Sequence, residues 1–149
     1  METVTSTDVI ITSGISSGII TLILILSSLA YILTSLGLMT LAKNAGIKNP
    51  WLAWIPIANL WIWGELISEK LNGKGGKKVL LITLAYAVTQ IIPFINILTA
   101  IAYAIFAIML SFWLFKKYTE KPVLHTILSI LIPIYSPILL FVIRNNEAK

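Results

Sequence analysis

Few residues in this chain of 149 have side chains suited to reaction or to polar binding. Glu65 is the most informative of them. It closes Trp61-Ile-Trp-Gly-Glu65 inside an apolar stretch, with Glu69 four residues on and Lys70 next to that. An ionisable group in such a setting reads as part of a proton or cation path, or as a carboxylate at a segment end that pairs with a loop lysine. His125 is the sole histidine, so no zinc or haem centre is expected. It can serve as a proton-responsive group or bond a neighbouring carbonyl. Ser129 lies four residues beyond it, yet no third group orients the ring for nucleophilic catalysis. Asn59, Gln90 and Asn96 are amides in apolar segments, able to bond between helices or to line a polar passage. Gly73-Lys-Gly-Gly-Lys-Lys78 suggests a phosphate loop but lacks the G-x-x-x-x-G-K-[ST] spacing, and reads instead as a flexible basic loop near anionic lipid. Without cysteine there is no disulfide, thiol catalysis or thiolate metal site. The expectation is a protein that is not an enzyme and carries no cofactor or metal.

The elements that must hold these residues are apolar helices. The chain is 58% hydrophobic and 11% charged, whereas soluble domains average about 45–50% apolar and about 25% charged. Its mean hydropathy is +0.93. A lipid bilayer solvates such surfaces; water does not. Residues 9–42 carry no charge and hold one membrane helix near 15–42, too long for the core of a signal peptide and preceded by an acidic stretch, residues 1–12. After the basic turn 43–50, the segment 51–66 is short and interrupted by Pro56 and Glu65. The loop 69–78 is polar and glycine-rich. Residues 79–115 are uncharged, too long for one helix and broken at Pro93, which predicts helices near 79–92 and 97–115. The basic turn 116–121 leads to a last apolar segment, 122–143, containing Pro133 and Pro137, and to a polar tail, 144–149. Residues 1–149 read as a single integral membrane domain.

Three of these breaks share a pattern. Ile55-Pro-Ile-Ala-Asn59, Ile92-Pro-Phe-Ile-Asn96 and Ile132-Pro-Ile-Tyr-Ser136 recur about 40 residues apart, as an internal repeat would. Proline removes a backbone donor and clashes with the preceding turn. The Asn or Ser beyond it is then placed to bond the freed backbone groups. Pro56, Pro93, Pro133 and Pro137 are therefore expected to be structural turns, with Asn59, Asn96 and Ser136 as their polar partners.

The lysines choose between two topologies. If all five apolar segments span, the basic turns divide between the two faces. If 51–66 and 122–143 instead enter and leave by one face, every lysine and arginine lies inside, and acidic Glu2 and Asp8 lie outside. The positive-inside rule favours the second arrangement. The fold expected is thus an all-α polytopic membrane bundle of three transmembrane helices and two proline-broken re-entrant segments, with five spans as the alternative. The net charge of +5 belongs to cytoplasmic loops in this reading, and nucleic acid is not a partner. Trp51, Trp54, Trp113 and Tyr118 flank basic turns as an interfacial belt. Gly14-Ile-Ser-Ser-Gly18 matches a close-approach motif, and Ala100, Ala104, Ala107 and Ser111 form a small-residue stripe for packing within the fold or in a dimer.

Lys43-Asn-Ala-Gly46, then Trp51-Leu-Ala-Trp-Ile-Pro-Ile-Ala-Asn59, then Pro93–Asn96 and the proline-bearing close at Pro133 and Pro137, resemble a group of small uncharacterised bacterial multi-pass membrane proteins. The signature is K-x-[AG]-G followed by W-x-A-x-I-P-I-x-N, and the likeness covers residues 40–142. Tyr118-Thr-Glu-Lys121 departs from the glycine usual in that turn of the group. Some members carry a signal-peptidase label. That activity needs a serine nucleophile, a lysine base and a sizeable extracytoplasmic domain, and here the lysines sit only in turns. The resemblance implies a fold in the bacterial plasma membrane and no reaction. The function expected is that of a scaffold or accessory subunit bound to another membrane protein or to its own copies. The alternative is a small transporter or channel for an ion or small solute, with Asn59, Glu65 and Ser136 along its path.

Overall fold

The computed structural model describes residues 6–148, with side chains from residue 17 onward. Glu2 and Lys149 lie outside the described residues, as do the side chain of Asp8 and the surroundings of Gly14. Among the described residues the chain is all helical, with no strand. The longest helix, α1 (Ser6–Asn44), begins ahead of the expected residue 15, so residues 6–12 of the acidic stretch are helical. It ends where Gly46 takes a positive φ of 69°. The Ile47 amide then donates to the Ala42 carbonyl and the Gly46 amide to that of Lys43, which caps the last turn.

A 3-10 turn (Pro50–Trp54) leads into α2 (Pro56–Leu66). Both start on proline, which has no amide to leave unpaired in a first turn. A second 3-10 turn (Ser68–Leu71) precedes α3 (Gly75–Thr89), which begins inside the stretch expected to be loop. Pro93 lies in the tight turn to α4 (Ile95–Tyr118), as expected. The last apolar segment is two short helices, α5 (Pro122–Leu131) and α6 (Tyr135–Val142), closed by a 3-10 turn (Ile143–Asn145). Here the expectation needs correction. Pro133 sits in the reversal, but Pro137 lies in the first turn of α6, where its missing amide costs nothing.

One end of the molecule gathers most helix termini, and we call it the base. The Asn44 amide donates to the Arg144 carbonyl at 3.2 Å, Asn146 to the Tyr118 carbonyl at 2.9 Å, and Lys117 to the Leu66 carbonyl at 2.9 Å. These bonds bring the ends of α1, α2, α4 and α6 together. Arg144 and Asn146 of the polar tail are thus tied to the base. The chain leaves the base after α1 and returns to it at Leu66. It leaves again after α4 and returns at Arg144. The first excursion reaches Trp54, whose carbonyl accepts a hydrogen bond from Tyr31 Oη. Tyr31 lies about 20 Å up the α1 axis from Asn44, at 1.5 Å per residue. Trp54 is thus at the apex of its segment.

Leu38, Leu41, Ile62, Leu66, Phe115 and Leu140 are buried in the core, which lies near the base. Two glycine contacts set its packing. A Cβ at Gly64 would lie 2.4 Å from the Gly75 carbonyl oxygen, and one at Gly75 would lie 2.0 Å from that of Gly64, so α2 and α3 touch backbone to backbone. A Cβ at Gly37 would meet the Leu140 backbone at 2.7 Å, joining α1 to α6. Above the base the elements separate. Residues 18–29 of α1 are exposed on every side. The α3–α4 hairpin is held by the Tyr86–Tyr103 ring stack and by Thr89 donating to Thr99 at 3.0 Å, and it carries Ile91 and Phe94 uncovered at its tip.

Two helical stretches are long and apolar enough to cross a membrane, Ser17–Asn44 and Ile95–Tyr118. Only 6% and 11% of their most apolar windows are buried. Helices that form the core of a soluble protein pass the same length test but are mostly covered.

Candidate functional site

The five polar residues singled out by the sequence do not converge. Asn59 is buried at the start of α2, and its Nδ2 donates to the Ala53 carbonyl at 3.1 Å. It closes the turn around Pro56, as the repeat predicts. Glu65 does not pair with a loop lysine: Lys117 lies 3.6 Å from Glu69 instead. One carboxylate oxygen of Glu65 accepts the Gly76 amide at 3.3 Å. It thereby caps the first turn of α3 from a neighbouring helix, where a negative charge suits the helix dipole. Asn96 stands at the α3–α4 tip, and the side-chain bonds there are made by Thr99, which donates to the Ile95 and Asn96 carbonyls and accepts from Thr89. His125 Nδ1 and Tyr135 Oη are 2.5 Å apart, a bond that ties α5 to α6 across the Pro133 reversal. Ser129 Oγ donates to the His125 carbonyl and so has no contact with the ring.

Ser136 lines a shallow groove of about 210 Å³ with Ser111, Thr126 and Ser129. Three of these hydroxyls donate to carbonyls one turn back on their own helices: Ser111 to Ala107, Thr126 to Pro122 and Ser129 to His125. Their hydrogens are committed, so these hydroxyls have only lone pairs left to offer. Such a wall accepts hydrogen bonds and favours a donor or a small cation. Neither Asn59 nor Glu65 reaches it.

A larger cleft, of about 490 Å³, opens at the base. Lys48 follows α1, Lys74 precedes α3 and Lys117 closes α4, and all three line it beside Trp61, Glu65 and Ser68, with Ala45, Ile47 and Leu66 as its apolar wall. Lys74 holds φ 52° between Gly73 and Gly75, and Asn72 and Gly73 before it are also at positive φ. That left-handed run turns the chain into α3.

Sequence reasoning missed this convergence because the lysines come from three separate connections, each plausible as a solvated turn. It also missed Tyr135, which carries no signal beyond its place in the third Ile-Pro repeat. The Gly64–Gly75 contact had one available sign: glycines inside and at the mouth of apolar helices, where alanine is otherwise preferred. Among the described residues no group of His, Asp and Glu is placed to hold a metal. The chain matches no family model, no curated protein and no solved structure.

Proposed function

We propose that this chain is a multi-pass protein of the bacterial plasma membrane that acts by binding, as a scaffold or accessory subunit for another membrane protein or for its own copies. In this reading α1, α3 and α4 span, while residues 51–66 and 122–143 are re-entrant and the basic base faces the cytoplasm. The observation that carries it is the upper half of α1. Ile19, Ile20, Leu22, Leu24 and Ile25 are exposed around the whole helix, and no element among the described residues covers them. Lipid or a partner helix must solvate that surface. The polar candidates support the same reading, since Asn59, Glu65 and His125 are engaged in closing turns and capping a helix.

The chain has no cysteine among its 149 residues, so single cysteines report topology cleanly. Cysteines at Asn72 and Asn145 are expected to label from the cytoplasmic face only. Labelling from opposite faces would exclude the re-entrant arrangement. A photo-crosslinker at Ile23 is expected to give one discrete protein adduct in native membranes, at a stoichiometry that survives purification. Adducts to lipid alone would remove the scaffold reading.

The hydroxyl groove supports a second reading, a small transporter or channel, because acceptor-lined recesses at the ends of broken helices suit cations. Liposomes carrying the purified chain should then pass a monovalent cation, and Ser136→Ala with Ser129→Ala should slow it. Absence of flux in the wild type would eliminate this reading.

A further inference from the structure

We propose that the cleft at the base is a binding site for the phosphate group of an anionic phospholipid. Three observations converge on it. The first is charge. Lys48, Lys74 and Lys117 line the cleft against one carboxylate, Glu65, which is turned to the Gly76 amide. Lys117 is in part offset by Glu69 at 3.6 Å, but neither Lys48 nor Lys74 has an ion-pair partner among the described residues. Lysine binds phosphate as a compact point charge and needs no bidentate geometry. The second is the wall. Ala45, Ile47 and Leu66 supply an apolar side and Trp61 an amphipathic ring. A free phosphate has no use for such a side, whereas the glycerol neck and first methylenes of a lipid do. The third is backbone shape. Lys74 adopts a left-handed conformation that glycine takes without steric cost, in a loop that already holds Gly73, Gly75 and Gly76. A lysine there puts its charge on the cleft at some expense in local strain, a pattern that marks ligand-binding positions.

This inference rests on the membrane placement proposed above, with the base at headgroup depth. The strained lysine provides the test. Lys74→Gly removes the charge while keeping the backbone conformation, so the fold should survive. The full chain in neutral-detergent micelles is titrated with phosphatidylglycerol, phosphatidylcholine or inorganic phosphate, and bound lipid is counted by native mass spectrometry. Phosphatidylglycerol is expected to bind at least about tenfold more tightly than phosphatidylcholine. Lys74→Gly and Lys48→Gln should each weaken it about fivefold. Lys116→Gln, an exposed control outside the cleft, should leave it unchanged. Equal binding of the two lipids, or equal loss in the Lys116 variant, would overturn the proposal in favour of diffuse surface charge. Binding of inorganic phosphate without phosphatidylglycerol would overturn the lipid as its source. Asn72 labelling from the outer face, with lysine-dependent lipid binding intact, would instead strike the topology and leave the cleft standing.

Discussion

Residues 51–66 and 122–143 each leave the base, break at an Ile-Pro pair and return to the base, yet they are fastened differently. In the first, the turn is closed by a buried amide bonded to backbone, Asn59 to Ala53, and the returning helix lies backbone against backbone on α3 at Gly64 and Gly75. In the second, two half-buried side chains, His125 and Tyr135, close the turn, and the returning helix rests on α1 at Gly37. A buried amide bonded to backbone has no alternative partner, so its loss leaves a carbonyl unsatisfied. A side-chain pair near the surface can exchange partners. The first segment is built as a fixed wedge, and the second retains room to adjust beside its hydroxyl groove.

The largest expected effect tests the wedge directly. Gly75→Ala places a Cβ 2.0 Å from a carbonyl oxygen of α2, which can give way only if both helices move. The expected cost is about 3 kcal/mol, read from unfolding in mixed detergent micelles. Gly37→Ala meets Leu140 at 2.7 Å, on a short helix free to shift, and should cost about 1–2 kcal/mol. If Gly37→Ala proved the more damaging, the second segment would be the rigid one and the comparison would reverse.

The turn closures come next. Asn59→Leu keeps the bulk but strands the Ala53 carbonyl, for about 1–3 kcal/mol. Tyr135→Phe removes only the hydroxyl that meets His125 and should cost about 1 kcal/mol. His125→Ala in the Tyr135→Phe background should then add little through the lost bond, because its partner is already gone. A full additive loss in the double variant would show that the pair does not act as one closure.

Much of this frame is legible in the sequence. Uncharged runs and prolines give the helices and their breaks, because a missing amide and a fixed φ act locally. The distribution of lysines marks the base for the same kind of reason, as charge cannot enter hydrocarbon cheaply. Partner choice is another matter. The three Ile-Pro repeats look alike, yet Asn59 closes the first turn, Thr99 makes the bonds at the second, and Tyr135, one residue before Ser136, closes the third. Which side chain reaches a neighbour depends on how far apart the packed helices stand, and a five-residue pattern does not encode that. Trp54 shows the same limit. Its carbonyl accepts from Tyr31, 23 residues earlier, and no local pattern marks that partner.

The smallest expected effect concerns Glu65, the residue that looks most functional in the sequence. Its carboxylate caps α3 from α2, so the wedge gains a polar tie next to the Gly64–Gly75 contact. Glu65→Gln retains an oxygen that can accept the Gly76 amide and loses only the charge at the helix start, for about 0.5 kcal/mol. Glu65→Ala loses the acceptor as well and should cost about 1 kcal/mol, with faster hydrogen exchange at the Gly76 amide. A carboxylate on an ion path would behave otherwise, because there the charge and not the acceptor is what matters. Glutamine and alanine would then abolish flux alike while leaving Gly76 exchange unequal, and the pair of variants separates the two roles in a single preparation.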